Sequence, residues 1–307
     1  MNTKDKLKII QDLSGLTQTK MAAKIGVSFV ALNNWWTGKS QPRKKQEMAI
    51  NAMYLEYTGQ KTIPKTVLLA KKELIAKEAS KHKNILGIIL KNPDIRDQFM
   101  LSLTYNSNKI EGSTLSEDET ADIMFNNRTI PDKSLVEQLE VKNHQTALKY
   151  LFRQLEDIKK INEELVLKLH GILMNGIRDD AGFYRRHGVR IVGSNVPTAN
   201  YLKVPKLMES LFADLNKKPK DIIGHTSNIH ARFEQIHPFS DGNGRIGRLI
   251  LVAMLLKSNI APAVIKQENK RLYYTYLRSA QLKNDFTQLE NFICDAVADG
   301  FDIVNRK

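Results

Sequence analysis

Apolar residues recur at intervals of three and four over most of the chain, from about residue 94 to the C-terminus. Leu135 and Leu139 form one such pair, and Leu148 and Leu151 form another. This spacing is typical of α-helices that bury one face, whereas a half-buried strand alternates with a period of two. The sequence therefore predicts a mainly α fold.

One short stretch departs from the helical spacing and predicts a β-hairpin. Val189, Ile191 and Val192 follow an alternating pattern, and Gly193 comes next as a turn residue. A second extended run is expected at Tyr201–Val204. We therefore expect a single hairpin on an otherwise helical body.

The charge of the chain bears on its partners. It carries 47 Lys and Arg residues against 33 Asp and Glu residues, a formal net charge of +14 over 307 residues. This excess favours polyanions such as nucleotides or nucleic acid, although a basic surface that only serves solubility gives the same count. Cys294 is the only cysteine, which excludes an intramolecular disulfide and fits a reducing compartment. The longest apolar run, Leu249–Leu256, is far shorter than the ~20 residues of a membrane span, so we expect a cytoplasmic protein without a membrane partner.

Changes in composition divide the chain into three parts. Residues 1–60 form a small basic helical unit that Gly59 and a nearby proline terminate. Residues 61–93 are rich in lysine and amphipathic, which predicts a helical linker that ends at Pro93. Residues 94–307 then form the main domain.

The first unit contains a pattern for two crossing helices. Gly26 can take the positive φ that a tight turn requires, and Ser28 can cap the helix that follows. The apolar positions that the two helices would bury are Met21, Ile25, Val27, Leu32 and Trp35. These residues resemble the Cro/repressor-like (XRE) helix-turn-helix family over about residues 4–57.

That resemblance implies DNA binding, with the second helix in the major groove. The residues assigned to DNA are Gln18, Ser28, Phe29 and Asn33. The family acts mostly as dimers, so a homodimer is one expected arrangement. A helical bundle that binds a protein, or that binds nothing, is the alternative, and an aromatic residue at position 29 favours it slightly.

Six residues with defined chemical uses are concentrated between positions 237 and 248. Gly242 and Gly244 flank a turn before an apolar helical run, and free N–H groups at a helix start bind phosphate. Arg245 and Arg248 are three apart and can grip two phosphates from one helix face. Asp241 offers a hard oxygen ligand for Mg²⁺.

His237 lies four residues before this carboxylate. A neutral imidazole can remove a proton from an incoming hydroxyl near neutral pH. An isolated histidine more often belongs to a surface or to a core network. The concentration of useful residues around it favours the catalytic interpretation.

The run resembles the signature of the Fic family, H-P-F-x-D/E-G-N-G-R-x-x-R, at every specified position. The resemblance implies a helical core with a β-hairpin flap, and transfer of AMP from ATP and Mg²⁺ to a hydroxyl of a protein target, the chain itself included. It assigns His237 as general base, Asp241 as Mg²⁺ ligand, Gly242, Asn243, Gly244 and Arg245 around the α- and β-phosphates, and Arg248 at the γ-phosphate. Related members that transfer a phosphoryl group have Lys in place of Gly244, so nucleotidyl transfer is favoured.

Further residues receive roles from the same resemblance. The target-binding flap would comprise Val189, Ile191, Val192 and Gly193. Backbone pairing with such a hairpin gives affinity without much sequence readout, and a structural edge hairpin is the alternative. Side chains that could flank the adenine are Tyr273, Tyr274 and Gln281, although core packing explains at least one tyrosine equally well.

An earlier segment resembles the inhibitory motif of this family, S/T-x-x-x-E-G/N. Ser107 and Glu111 are four apart on one helix face, and Gly112 can end that helix. We expect Glu111 to pair with Arg248, which would occupy the guanidinium meant for the γ-phosphate. An ordinary glutamate at a helix end is the alternative. Some members of this class also remove AMP, and the sequence leaves that open.

Two functions therefore compete. The first is a protein adenylyltransferase inhibited by Glu111. The second is a DNA-binding transcriptional regulator whose Fic core only senses nucleotide. Intact His237, Asp241 and Arg248 favour the enzyme, because a scaffold needs no general base.

Overall fold

The structure is a computed structural model that describes residues 2–58, 63–191 and 196–306. The chain divides into two compact units, Met1–Pro64 and Lys65–Lys307.

The first unit is a small helical bundle with its own core. Its helices are α1 (Thr3–Ser14), α2 (Gln18–Ile25), α3 (Phe29–Thr37) and α4 (Lys44–Thr58). Gly26 ends α2 at a φ of 76°, and the Ser28 side chain accepts a hydrogen bond from Ala31 N–H at 3.2 Å to cap α3. The buried core consists of Leu7, Ile10, Met21, Ala22, Ile25, Leu32, Trp35, Ile50, Met53 and Tyr54. Four of the five apolar positions expected to be buried are in this core, and Val27 packs against it.

The second unit is a larger helical body. Its helices are α5 (Lys65–Ser80), α6 (Ile85–Lys91), α7 (Pro93–Glu111), α8 (Glu117–Phe125), α9 (Leu135–Asp157), α10 (Glu163–Leu173), α11 (Val204–Leu215), α12 (Ile222–Ile236), α13 (Asn243–Lys257), α14 (Lys270–Lys283) and α15 (Thr287–Val304). The prediction of a mainly α fold is confirmed. Residues 65–91, treated as a linker above, pack onto the body through α5, where Lys72 bridges Asp221 and Glu290.

Helix α13 lies at the centre of the second unit. Nearly every residue from Asn243 to Leu256 is buried, including Arg245 and Arg248. The helix contacts α7, α9, α10 and α12. A helix that is apolar around its circumference must be covered on all sides, which explains this position. The two arginines are therefore held by neighbouring helices.

The hairpin prediction differs from the structure. Within residues 2–58, 63–191 and 196–306 no strand is present. The extended run expected at 201–204 is wrong, because Tyr201–Lys203 is a 3-10 helix that leads directly into α11. The Asn200 side chain caps this turn by accepting from Leu202 N–H, and a proline follows at the start of α11. Val189 and Ile191 lie in irregular backbone, and Val192 and Gly193 fall outside the described residues.

Helix ends near the inhibitory motif follow the sequence rules. Gly112 ends α7 in the left-handed region at a φ of 113°, as predicted. Ser116 and Glu119 form a capping box at the start of α8. Across the described part of the chain, no helix combines the length and the apolar character that crossing a membrane requires.

Candidate active site

A short turn joins α12 to α13 and carries the signature residues. Asn243 closes it, because its side chain accepts from Phe239 N–H and donates to Phe239 C=O, both at 2.8 Å. Phe239 is fully buried and anchors the turn in the core. The main role of the Asn243 side chain in this structure is therefore to hold the turn together.

The turn leaves the start of α13 open to an anion. Gly242 precedes the helix at a φ of 75° and contributes no side-chain cap. A Cβ at Gly242 would lie 3.0 Å from Met174 Sδ. Both the positive φ and this close contact therefore favour glycine at this position. The first N–H groups of a helix have no partner within it, and they carry the positive end of the helix dipole. This helix start is therefore suited to bind an anion such as phosphate.

His237 ends α12 in a conformation that is unusual for a residue with a side chain. Its φ is 51° and its ψ is 61°, in the left-handed region. Nδ1 lies 3.1 Å from the Glu234 carbonyl oxygen, and a carbonyl only accepts, so Nδ1 carries the hydrogen. Burial lowers the pKa of His237, which keeps the ring neutral near pH 7. Nε2 therefore has a free lone pair and is suited to accept a proton.

His170 supports the same turn from α10, and no sequence pattern indicates this role. Its Nε2–H donates to the Asp241 carbonyl at 3.1 Å, and its Nδ1 accepts from Gly182 N–H at 2.9 Å. The ring stacks on Phe239 with a centroid distance of 3.7 Å. Burial lowers the pKa of His170 to about 4, so it holds the turn as a neutral ring. Sequence pattern showed only a histidine on an apolar helix face.

Arg248 is in direct contact with the segment that resembles an inhibitory motif. Its Nη2 donates to Glu111 Oε1 at 2.6 Å, and its Nε donates to Ser107 Oγ at 2.9 Å. The guanidinium is buried, whereas 30% of the Glu111 side chain is exposed. Any Cβ at Gly244 would overlap the Glu111 carboxylate. The pair therefore lies against the first turn of α13, where phosphate would bind.

Arg245 has a different environment from the one the sequence suggests. Its Nη1 donates to Glu140 Oε1 on α9 at 2.6 Å, and its side chain is 3% exposed. Nη2 lies 3.8 Å from Asp241 Oδ1. The Asp241 side chain is 53% exposed, and Oδ1 accepts from Gly242 N–H at 2.6 Å. Glu140 was missed because it stands on a surface-like helical position with no local signal.

Glu234 is a further buried carboxyl on α12. It is 6% exposed, and Oε1 has no hydrogen-bond partner among the described residues. Burial raises the pKa of Glu234 to about 8; the nearby Glu111 adds to this effect and Arg248 opposes it. The carboxyl is therefore mainly protonated at pH 7, so that Arg248 forms its ion pair with Glu111 and not with Glu234. Gly247 on α13 makes room for it, since a Cβ there would overlap Oε1.

The residues considered for adenine all lie on α14, but they do not share a single exposed surface. Tyr273 is 1% exposed and its hydroxyl lies 2.7 Å from His230 Nε2, so its ring faces are covered. Tyr274 is 38% exposed. Gln281 donates to the Ala231 carbonyl at 3.1 Å and ties α14 to α12. Of these three side chains, Tyr274 is the one that is open to a nucleoside.

The side chains considered for DNA lie along α2 and α3 of the first unit. Gln18 is the first residue of α2, and Ser28 is the N-cap of α3. Phe29 is 46% exposed, and Asn33 is partly buried. Ser28 and Phe29 thus lie at the N-terminal end of α3.

Fold and site together define a helical protein with an open helix start that is suited to an anion, a neutral histidine beside it and two buried arginines on its first turn. Residues 160–255, which include the whole signature, match the model of the Fic/DOC family. This part of the chain is therefore similar to a Fic domain.

The chain is also similar to curated proteins whose function is named. The chain is 28% identical over 211 residues to a protein named protein adenylyltransferase Fic from Aedes aegypti, a match that covers 65% of this chain and 40% of that protein. It is 32% identical over 185 residues to the protein of the same name from Nematostella vectensis, covering 57% and 42%. The chain thus spans about two fifths of the length of these relatives.

Solved structures show the same fold. Fic-1 of C. elegans has a TM-score of 0.68 at 20% identity, with coverage of 93% of this chain and 84% of that chain. A Fic domain-containing signalling protein from Bacteroides thetaiotaomicron has a TM-score of 0.66 at 22% identity, with coverage of 76% and 97%. A Fic family protein from Desulfovibrio desulfuricans has a TM-score of 0.64 at 26% identity, with coverage of 78% and 74%.

Proposed function

We propose that this chain is a protein adenylyltransferase that transfers AMP from ATP to a hydroxyl of a protein target. The observation that carries the proposal is the state of His237, a neutral ring with its Nε2 lone pair free, one short turn before the open start of α13. The name shared by the curated relatives supports the same activity.

The reaction follows from these groups. Nε2 of His237 takes the proton of the target hydroxyl, and the oxygen attacks the α-phosphorus of ATP. The bond from that phosphorus to the bridging oxygen breaks, so that pyrophosphate leaves and AMP remains esterified to the protein. The N–H groups at the start of α13 hold the phosphates in line, and positioning accounts for most of the catalysis in such transfers.

The residues present fit a Mg²⁺ ion that arrives with ATP. Mg²⁺ is usually held by one or two carboxylates plus substrate phosphates and waters. Asp241 is such a carboxylate, half exposed at the phosphate-binding turn. Groups of three or more candidate ligands are absent from the described residues. When bound, Mg²⁺ would offset the negative charge of the phosphates.

Glu111 would inhibit the transferase in this conformation. The carboxylate holds Arg248, the side chain assigned to the γ-phosphate, and lies against Gly244. A phosphate at this place must displace Glu111, because two anions cannot share one guanidinium without repulsion. Removal of Glu111 should therefore increase AMP transfer.

Intact mass after incubation with ATP and Mg²⁺ tests the proposal. We expect AMP-sized adducts, on the chain or on lysate proteins, to increase in Glu111→Gly and to vanish when His237→Ala is added. His225→Ala on α12 is the matched control, and it should retain the adducts. Adducts that survive His237→Ala would refute the assignment of the base, and phosphate-sized adducts would show a reversed nucleotide orientation.

The alternative is a regulator whose Fic domain only senses nucleotide. It predicts ATP binding by all variants and no adduct in any of them. Calorimetric titration with ATP beside the mass measurement separates the two functions.

The first unit would bind DNA in either case. The Ser28-capped start of α3 is exposed, as are Lys39 and Arg43 in the segment between α3 and α4. A helix presented in this way can enter the major groove while basic side chains contact phosphates. A homodimer would present two such helices to a palindromic site.

A gel shift with the DNA upstream of the gene tests this binding. Arg43→Ala should weaken binding to every sequence and make the dependence on salt shallower, by about one unit in the log–log slope. Asn33→Ala should instead reduce the preference over random DNA. If no sequence competes better than random DNA, the regulator proposal fails.

A further inference from the structure

The buried side chain of Arg185 joins the candidate base to the segment that precedes α11. Arg185 is 3% exposed. Its Nε donates to the His237 carbonyl at 2.7 Å. Its Nη1 donates to the His187 carbonyl at 2.6 Å, and its Nη2 to the Ala199 carbonyl at 2.5 Å. One guanidinium thus bonds to the backbone at His187, at Ala199 and in the catalytic turn.

This cation has no anionic partner nearby. No carboxylate lies within salt-bridge distance of Arg185 in the described ranges, and burial lowers its pKa. A buried charge is costly unless its hydrogen bonds are satisfied, so backbone carbonyls replace water around it. Such an arrangement suits the planar fork of arginine, because its donors are on three separate nitrogens, whereas the three donors of an ammonium all leave one atom.

The backbone of His237 needs external support. A left-handed conformation costs a residue with a side chain roughly 1–2 kcal/mol, and it persists where surrounding contacts fix it. Arg185 supplies such contacts on both sides of the residue. Its backbone N–H donates to the Pro238 carbonyl at 3.0 Å, and its Nη2 lies 3.4 Å from the Ile236 carbonyl.

The conformation in turn sets the ring. The hydrogen bond from Nδ1 to Glu234 C=O fixes the tautomer that leaves Nε2 free. That bond spans three residues, so it depends on the backbone angles of His237 itself. A relaxed backbone would release Nδ1 and allow the other tautomer, which cannot accept a proton at Nε2.

We propose that Arg185 is a positioning residue for His237: its guanidinium holds the left-handed backbone and ties the carbonyls of His187 and Ala199 to the catalytic turn. The inference rests on the proposed function, because it takes His237 as the base. Arg185 itself touches no substrate in this account.

Kinetics of AMP transfer in a Glu111→Gly background give the first test. Arg185→Lys and Arg185→Gln should each lower kcat at least tenfold, and the KM for ATP should stay within twofold. Arg186→Lys is the matched control at the exposed neighbouring position, and it should leave both constants unchanged. A tenfold rise in the KM for ATP, or an unchanged kcat, would overturn the proposal.

Nitrogen NMR of the histidine rings tests the geometry without relying on activity. The His237 signal is assigned by its loss in His237→Ala. It should report the Nδ1–H tautomer in the parent protein and a mixture of tautomers in Arg185→Lys. An unchanged tautomer in a folded Arg185→Lys would overturn the proposal.

A measurement on the unmutated protein covers the case in which Arg185 variants do not fold. Hydrogen exchange of Arg185 Nε–H should be at least a hundredfold slower than in free arginine. Exchange at the free rate would refute the hydrogen bond from Arg185 to the His237 carbonyl on which the proposal rests. If the Glu111→Gly protein transfers no AMP at all, the proposed function fails. The tautomer and exchange measurements would still decide whether Arg185 holds His237.

Discussion

Replacing Glu234 by glutamine tests whether a neutral carboxyl lies beside Arg248. The pKa of Glu234 is raised to about 8 from 4.5, mainly by burial. Between these two values the folded protein holds a proton that the unfolded chain releases, so the stability of the protein falls as pH rises from about 4.5 to about 8. The contribution is fully present below 4.5 and is lost above 8. Glutamine has nearly the same shape and cannot ionise, so Glu234→Gln should remove this loss.

The size of the effect follows from the gap between the two pKa values. At about 1.4 kcal/mol per pH unit, the gap gives an upper bound of about 5 kcal/mol. Arg248 and Glu111 act on the carboxyl in opposite directions, and we expect about 2–4 kcal/mol. For a body of this size, a change of 1 kcal/mol moves Tm by roughly 2–4 °C. Glu234→Gln should therefore melt roughly 4–16 °C above the parent at pH 9 and close to it at pH 5.

Scanning calorimetry from pH 5 to pH 9 measures this difference. Glu209→Gln, at an exposed position on α11, is the matched control and should follow the parent at every pH. Comparing variants at each pH cancels the titration of the buried histidines. A Tm difference that does not change with pH would refute the reasoning. It would mean that Glu234 is ionised at neutral pH, so that Arg248 faces two anions and has less capacity for phosphate.

Two further changes give defined outcomes. Glu111→Gln removes the charge of the carboxylate that pairs with Arg248 but keeps its shape. Since a charge-assisted hydrogen bond contributes about 1.5–3 kcal/mol, we expect calorimetric titration to show roughly 10–150-fold tighter binding of ATP. AMP has no γ-phosphate and should bind as before. Equal gains for ATP and AMP would contradict a site for the γ-phosphate at Arg248. Gly300→Ala should destabilise the protein by roughly 1–3 kcal/mol in urea denaturation, because its Cβ would overlap the carbonyl oxygen of Pro262. Gly188→Ala, which meets nothing within 4 Å, is the control, and equal midpoints for the two variants would refute the packing argument.

Local rules account for what could be predicted from the sequence. Gly112 and the capping box at Ser116 lie where the rules for helix ends place them, because a cap depends on a few neighbouring residues. The helical periodicity likewise predicted the mainly α body. The predicted hairpin is not present in the part of the chain that the structure describes, because strand pairing depends on a partner segment that a local pattern cannot specify.

The sequence by itself determined the candidate chemistry of this protein: which residues stand in the turn before α13, and that a histidine precedes it by one short step. Only the tertiary structure decided how that chemistry is held. Arg185, His170 and Glu140 reach the turn and the first residues of α13 from helices and loops that are distant in the chain. Their roles come from burial, which removes water and leaves polar groups to be satisfied by partners that are close in space. A buried charge interacts with the groups that are close to it in space, and the order of residues along the chain does not specify which groups those are.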